Sequence, residues 1–337
     1  MTIVTGAAMR ACLLATMLGA VACGDSSSPT ATPLSASPTP APATPPPQSA
    51  ISGTLTATNG GQPLSGVTVS MSGVAAAATD GVGHFLLSPL ESTASAIIEL
   101  TSASIVPRRL TLATRTRTIG LDAIALTGGF SLDFYRQLVR GSLDHQGENE
   151  PLRRWTEDPK IYLRTVFGDN HAVDESTLDT VAETMSDAVQ EWTGGRLSVA
   201  VLERGTGSRE GVPGWITVVW NEGLGDYFCG WAFVGVDPNR IDLHPRNAGC
   251  RCSGDPGQVA RSVVVHEIGH VMGFWHTDST DDVMVSALNS CNTSLSPRER
   301  MHANIAYSRP VGNTDPDADP AGSNSLLAVR PTAIRIH

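Results

Sequence analysis

Three histidines and a glutamate stand close together in the second half of this sequence. His266, Glu267 and His270 have the spacing His-Glu-x-x-His, and His276 follows six residues later. Four residues turn an α-helix by about 400°, so on a helix His266 and His270 project from one face, one turn apart. Two imidazoles placed in this way can bind one metal ion. Glu267 lies on an adjoining face, where its carboxylate can hydrogen-bond a metal-bound water molecule.

The third histidine requires the chain to leave the helix. A residue six positions after His270 lies about 120° away from it around a straight helix. Gly273 can adopt a positive φ angle and end the helix, after which the next two residues can return His276 toward the ion. Three neutral histidines leave one position of a tetrahedral zinc ion open for water, as in catalytic zinc sites. The sequence therefore predicts one catalytic Zn2+ ion.

The segments around this motif have the pattern of an α+β domain. Residues 174–192 place their apolar side chains on one stripe and predict a long amphipathic helix. Residues 258–272 predict a second helix that carries the first two histidines. Between the two helices, strand-like runs occur at Leu197–Leu202, Trp215–Trp220 and Arg240–Leu243. The order of helix, strands and helix indicates an α+β arrangement.

The motif from His266 to His276 reads His-Glu-x-x-His-x-x-Gly-x-x-His and resembles the signature of the metzincin metallopeptidases. Met284, which follows Asp281-Asp282-Val283, resembles the Met-turn of that family. Thr277 and a predicted helix from Leu295 to Tyr307 resemble matrixin-like members. The resemblance covers residues 128–310. It implies a metzincin-type α+β catalytic domain with a twisted sheet, an active-site helix and a C-terminal helix.

The resemblance also implies an activity, that of a zinc-dependent endopeptidase acting on protein or peptide substrates. A zinc-bound water molecule would be activated by Glu267 and attack the peptide carbonyl. Met284 would lie under the zinc ion without binding it. The substrate would lie extended along an edge strand, for which we expect Trp215–Trp220 or Arg240–Leu243. The polar residues His244, Asp278 and His302 are expected to be solvated or to cap helices.

Two other functions fit the same residues. A surface binding or adhesion protein with a non-catalytic zinc domain would bind zinc without hydrolysis. A hydrolase of non-peptide amides would differ only in its substrate. If the enzyme is held latent, a propeptide thiol bound to zinc is not the device, because the sequence has no cysteine between Cys23 and Cys229.

The N-terminal residues have the features of an export signal. Arg10 precedes an apolar run from Ala11 to Ala22, which is shorter than the roughly 20 residues that span a bilayer. We interpret 1–22 as a signal peptide. Cys23 directly after it resembles the lipidated cysteine of bacterial lipoproteins, so we expect an exported lipoprotein on the cell envelope, or a secreted protein if Cys23 is not lipidated.

Two further segments precede the catalytic domain. Residues 23–50 are rich in Pro, Ser, Thr and Ala and predict an extended linker. Residues 51–126 alternate apolar and polar residues between turns such as Asn59-Gly60 and Asp80-Gly81, which predicts a small antiparallel β-sandwich. The order of these features resembles the carboxypeptidase regulatory-like domain, which implies an accessory role. His84 in this segment is expected to be a packed or surface residue.

Composition and cysteine content restrict the remaining possibilities. The net charge of −10 and the lack of a basic cluster argue against binding to nucleic acid, and we expect a monomer. The tail 311–337 contains Asn313–Asp319, whose aspartates leave calcium possible but unsupported, and we expect disorder there. Two disulfides, each joining Cys250 or Cys252 to Cys229 or Cys291, are favoured over a second zinc site formed by these four cysteines.

Overall fold

The computed structural model describes residues 50–88, 95–113, 118–224, 228–245, 252, 259–286, 291–321 and 333–335. The predicted signal peptide, Cys23 and nearly all of the predicted linker lie outside these residues. In the described parts of the chain, no helix has both the length and the apolar character needed to cross a membrane.

Alternation of apolar and polar residues produces seven strands in the described residues between 51 and 123. In the first strand, Ile51, Gly53, Leu55 and Ala57 are buried and the residues between them are more exposed, as expected for a strand with one face on a core. The strands are β1 (Ile51–Ala57), β2 (Thr68–Met71), β3 (Val74–Ala78), β4 (His84–Leu87), β5 (Ser95–Thr101), β6 (Arg108–Ala113) and β7 (Thr118–Ala123).

These strands form two sheets that share one apolar core. One sheet has the order β4-β1-β7 and the other β3-β2-β5-β6. Leu55, Val69, Phe85, Ile98 and Leu121 contribute to the core from both sheets. Strands β1 and β7 pair in parallel, so the expectation of a purely antiparallel sandwich is wrong for this pair. Strand β7 follows β5 and β6, which belong to the second sheet. This long connection allows β7 to run parallel to β1.

The region after residue 126 contains four helices and six strands in the described residues. The helices are α1 (Leu132–Arg140), α2 (Glu175–Thr193), α3 (Arg261–Met272) and α4 (Pro297–Tyr307). The strands are β8 (Lys160–Arg164), β9 (Val201–Gly205), β10 (Trp215–Trp220), β11 (Gly230–Phe233), β12 (Asn239–Leu243) and β13 (Ala333–Arg335). The α+β arrangement predicted from the sequence is confirmed for this region.

The six strands form one sheet in the order β13-β11-β12-β10-β8-β9. Strands β12, β10, β8 and β9 run parallel, whereas β11 runs antiparallel to β12. The two strands expected at the edge, β10 and β12, are therefore interior, and that expectation is wrong. The sequence pattern did not reveal the short strand β11, which lies beyond β12 and separates it from the edge.

Helix α3 is held against helix α2 by aromatic packing. Trp192, at the end of α2, is fully buried and stacks on Phe274 with ring centroids 4.6 Å apart. Its indole Nε1 donates a hydrogen bond of 3.0 Å to the carbonyl oxygen of Val265 in α3. Gly194 then ends α2 in the left-handed conformation, as in a Schellman-type helix end. The contact fixes α3, which carries the histidine motif, relative to the longest helix of the domain.

The first seven strands are joined to the rest of the protein by an apolar contact and a buried ionic network. Val106 and Ile124 pack in the same core as helices α1 to α4. Arg309, which follows α4, is fully buried and donates two hydrogen bonds of 2.8 Å to Asp317 and others to Asp122 and Thr58. One guanidinium group thus connects the N-terminal strands, helix α4 and the tail.

The tail segment Asn313–Asp319, for which disorder was expected, is ordered in the structure. The main chain of Arg109 in β6 exchanges hydrogen bonds with Asp317 and Asp319, at 3.0 and 2.8 Å. The carboxylate of Asp319 also pairs with Arg108 at 3.1 Å. The carboxylates of Asp317 and Asp319 therefore pair with arginines.

Replacing Arg309 tests the importance of this network for stability. In Arg309→Ala, Asp122 and Asp317 lose a buried partner, so we expect the free energy of unfolding to fall by about 3–5 kcal/mol. The matched control is Arg109→Ala, whose side chain forms an exposed pair with Glu99 at 3.8 Å. The control should change stability by less than about 1 kcal/mol. Urea unfolding followed by tryptophan fluorescence measures both, and equal losses would contradict the network's role.

Candidate metal centre

The three histidines of the motif converge in the interior of the protein. His266 and His270 are fully buried and His276 nearly so. One ring nitrogen from each lies within 4.8 Å of the others, and the Nε2 atoms of His266 and His270 are 3.0 Å apart. Without a shared ligand, three imidazoles would not turn their nitrogen lone pairs toward one point. This donor set fits a metal ion bound through three Nε2 atoms.

The other ring nitrogen of each histidine has a hydrogen-bond acceptor. His266 Nδ1 lies 2.7 Å from the carbonyl oxygen of Val283, and His270 Nδ1 lies 2.8 Å from that of Phe274. His276 Nδ1 lies 2.8 Å from a carboxylate oxygen of Asp144. These acceptors favour the tautomer with the proton on Nδ1, which leaves Nε2 free to bind a metal. The buried Nε2 of His276 indeed has no hydrogen-bond partner among the described residues.

Burial also keeps His266 and His270 uncharged. It lowers the pKa of His266 well below its usual value, and the neighbouring histidines lower it further. Burial lowers the pKa of His270 to about 3. Metal ligation needs the neutral imidazole, so the environment prepares both rings for it.

Among the buried carboxylates of the described residues, that of Glu267 differs because it is left unpaired. It is fully buried, and both of its oxygens lack a hydrogen-bond partner within the described structure. It lies against Gly230 of β11, where an added Cβ atom would come within 2.6 Å of Oε1. Burial, with a smaller contribution from the charge of Asp242, raises the pKa of Glu267 well above its usual value. Such a group binds a proton readily and can pass it on.

Gly273 makes the turn that the sequence predicted for it. It ends α3 with a φ angle of 110°, a conformation that other residues rarely adopt. An added Cβ atom would lie 2.0 Å from the carbonyl oxygen of Arg153. The turn brings the carbonyl oxygen of Phe274 to His270 and directs His276 back toward the first two histidines.

Met284 packs directly beneath the helix that carries the histidines. It is fully buried, and its Sδ atom would be 2.5 Å from a Cβ atom added to Gly269. Its main chain is fixed on both sides: the N–H donates to Glu299 Oε1 at 2.9 Å and the carbonyl oxygen accepts from the N–H of Thr277 at 2.8 Å. The expectation that Met284 lies under the metal ion stays a prediction.

Two buried carboxylates hold the loop that contains Met284. Asp282 accepts hydrogen bonds from Thr277, Ser296 and Arg298, at 2.8–2.9 Å. Glu299 forms a capping box with Ser296 at the start of α4. Burial and the charge of Asp282 raise the pKa of Glu299 to about 7. The loop is therefore held by α4, in addition to the hydrogen bond between Val283 and His266 of the histidine helix.

Several residues of the centre were not predicted. Asp144 precedes His276 by more than one hundred positions, and no local pattern marks it. Gly230 belongs to the unpredicted strand β11. His302 is fully buried, so the expectation of a solvated side chain is wrong, although its Nε2 lies 3.1 Å from the main-chain nitrogen of Ser131, the cap of α1. Asp278 is exposed and accepts a hydrogen bond from Gln137, as a solvated residue can.

The cysteines form disulfides in the described residues. Cys252 pairs with Cys291, with their Cα atoms 5.2 Å apart. Cys229 is also disulfide-bonded, and Cys250 lies outside the described residues. The pair of Cys252 with Cys291 is one of the pairings that the sequence left open. Because a disulfide has no free thiolate, the alternative of a second zinc site on all four cysteines is wrong.

The fold and the three-histidine centre define a metallopeptidase domain of the zinc-dependent class. Residues 163–300 match the family model Peptidase_M10, whose description is Matrixin. The match supports a zinc metalloendopeptidase and confirms the predicted resemblance to the matrixin-like metzincins for this part of the chain. The resemblance of residues 51–126 to the carboxypeptidase regulatory-like domain stays a prediction. No curated protein matches the sequence.

Two solved structures are similar to the chain at low levels. The first is a type II cohesin–X-dockerin complex from Acetivibrio cellulolyticus, with 18% identity, a TM-score of 0.18 and coverage of 25% of this chain and 64% of that one. The second is metalloproteinase-II from Bacteroides fragilis, with 11% identity, a TM-score of 0.30 and coverage of 75% and 84%. This chain thus spans less than two thirds of the first structure, and neither TM-score carries a functional conclusion.

Removing the carboxylate of Asp144 tests how His276 is positioned. In Asp144→Ala, His276 loses the acceptor of its Nδ1 proton, so we expect the zinc dissociation constant to rise about 10- to 100-fold. Competition with a chromophoric chelator measures that constant. The control is Asp133→Ala in helix α1, whose side chain is 92% exposed. If both variants bind zinc as tightly as the unchanged protein, Asp144 does not orient the ligand.

Proposed function

We propose that this protein hydrolyses internal peptide bonds in protein or peptide substrates, with Glu267 as the group that transfers the proton. The observation that carries the proposal is the unpaired, buried carboxylate of Glu267 next to three converging histidine Nε2 atoms. A structural metal site has no need for such a carboxylate. A buried acceptor without a partner is costly, and it is explained if water or substrate becomes its partner during the reaction.

The chain's own residues would divide the chemistry as follows. His266, His270 and His276 would hold one zinc ion, which when bound supplies Lewis-acid activation of water and of the substrate carbonyl. Glu267 accepts the proton that water loses on attacking the carbonyl carbon and then delivers it to the leaving amine. Its raised pKa favours holding the proton between these two events.

The substrate would bind along β11. This strand carries Gly230 against Glu267, so a peptide paired with β11 passes the reacting groups. Main-chain hydrogen bonds to a strand edge bind extended peptides without requiring a particular sequence. Only a glycine leaves room at position 230 for the carboxylate to approach the strand.

We also propose that the protein is exported, carries a lipid on Cys23 and acts as a monomer. The apolar run before Cys23 and the linker after it support the anchor, and the disulfide between Cys252 and Cys291 supports an oxidising compartment. Labelling of expressing bacteria with an alkyne fatty acid tests the anchor, with Cys23→Ser as control. Incorporation that persists in Cys23→Ser would contradict it, and light scattering of the purified protein tests the monomer.

The activity is tested with Glu267→Gln. This change keeps the shape of the side chain but removes the proton acceptor, so we expect cleavage of a denatured-protein mixture to fall at least about 100-fold. Zinc binding should be retained, because Glu267 is not a ligand. Glu183→Gln, an exposed residue paired with Arg261, is the matched control and should keep full activity.

Metal removal supplies the second arm of this test. Chelation should abolish cleavage by the unchanged protein, and added zinc should restore it. If the protein binds one zinc ion and cleaves neither proteins nor small amides, the peptidase proposal fails and a binding or adhesion protein becomes the better description. If only small amides are cleaved, the protein is an amide hydrolase of another class.

A further inference from the structure

Strand β11 is not the end of its sheet. On one side it pairs antiparallel with β12, and on the other side it pairs antiparallel with β13. The register of the second pair places Trp231 opposite Arg335, Ala232 opposite Ile334 and Phe233 opposite Ala333. If residues 333–335 were removed, the main-chain groups of β11 on that side would face solvent and could accept another strand.

The exposed side of β11 would also be the side on which a substrate strand can be added. The other side is occupied by β12, which lies in the interior of the sheet. Gly230, at the start of β11, lies against the carboxylate of Glu267 and directly precedes Trp231. A chain segment paired with Trp231 therefore ends beside the reacting groups. Residues 333–335 and an extended substrate need the same hydrogen-bonding groups.

We propose that the segment Ala333–Arg335 is an autoinhibitory strand, which occupies the substrate position on β11 and must be displaced before a peptide can bind. This inference rests on the proposed peptidase function. It supplies a means of latency that does not need a propeptide cysteine, which this sequence lacks between Cys23 and Cys229. Residues 333–335 pair with β11 through main-chain groups. They therefore occupy β11 in the same way as any extended peptide would.

The inhibition is expected to be moderate and competitive. A segment in the same chain has an effective concentration on the order of millimolar. A ladder of three residue pairs is short, so substrates that bind β11 over a longer stretch can displace it. Competition raises the apparent KM and leaves kcat unchanged, because a displaced strand has no effect on the chemical step.

The first experiment compares the full chain with a variant that ends at Ala321. The substrate is the best-cleaved sequence found in the protein mixture described above. We expect the KM of the shortened variant to be about 3- to 10-fold lower, with kcat unchanged. A synthetic peptide of residues 326–337 should inhibit the shortened variant competitively. It should inhibit the full chain more weakly, because β13 already occupies the site.

Two proline substitutions provide a matched pair in the full chain, in case truncation disturbs folding. Neighbouring residues of an antiparallel strand point their N–H groups to opposite sides. Of Ala333→Pro and Ile334→Pro, one therefore removes an N–H that faces β11 and the other removes one that faces away. We expect only one of the two to lower KM. Equal KM values in both variants, in the shortened variant and in the full chain would overturn the proposal.

Hydrogen exchange keeps this inference separate from the peptidase proposal. The amides of Trp231–Phe233 that point away from β12 should exchange faster in the shortened variant than in the full chain, whether or not any peptide is cleaved. Faster exchange together with absent cleavage would support the strand pairing while the peptidase proposal fails. Equal exchange in the two proteins would show that residues 333–335 do not occupy β11 and would overturn the inference.

Discussion

The left-handed turn at Gly273 is the constraint on which the metal centre depends. Helix geometry alone places His266 and His270 on one face, but it would carry His276 away from them. The turn reverses the chain within three residues, and its φ angle of 110° together with the contact to the Arg153 carbonyl admits only glycine. The same turn provides the Phe274 carbonyl that orients His270. One backbone conformation thus positions a ligand, orients a second and sets where the helix ends.

Hydrogen bonds from the Nδ1 atoms fix the orientation of the three histidine rings. The acceptors of their Nδ1 protons come from three separate segments: the turn after α3, the loop of Met284, and Asp144 in the loop after α1. Buried polar groups are nearly always paired, so each of these loops is held in place by its own bonds. Among the buried carboxylates of the described residues, only that of Glu267 has no hydrogen-bond partner, and it lies where the chemistry would occur.

The seven N-terminal strands are more closely joined to the catalytic region than an accessory module on a linker would be. Arg309 bonds to Thr58 and Asp122 on one side and to Asp317 on the other, and Val106 packs in the catalytic core. The chain after α4 first contacts β6 through Asp317 and Asp319 and later returns to β11 through β13. The residues after α4 therefore connect the N-terminal strands to the catalytic region. They also pair with β11, the strand that lies against Glu267.

Elements that depend on neighbouring residues alone could be predicted from the sequence. The spacing of His266, His270, Gly273 and His276 specified the ligands, the helix and its end, because helix periodicity and glycine conformation act within a few residues. The capping box at Ser296 and the stripe of α2 are local in the same sense. Only the tertiary structure decided that Asp144 orients His276, that Cys252 pairs with Cys291, that β1 and β7 run parallel, and that β11 lies between β12 and β13. Each of these depends on segments far apart in sequence, whose approach is set by packing of the whole core and leaves no periodic pattern in either segment.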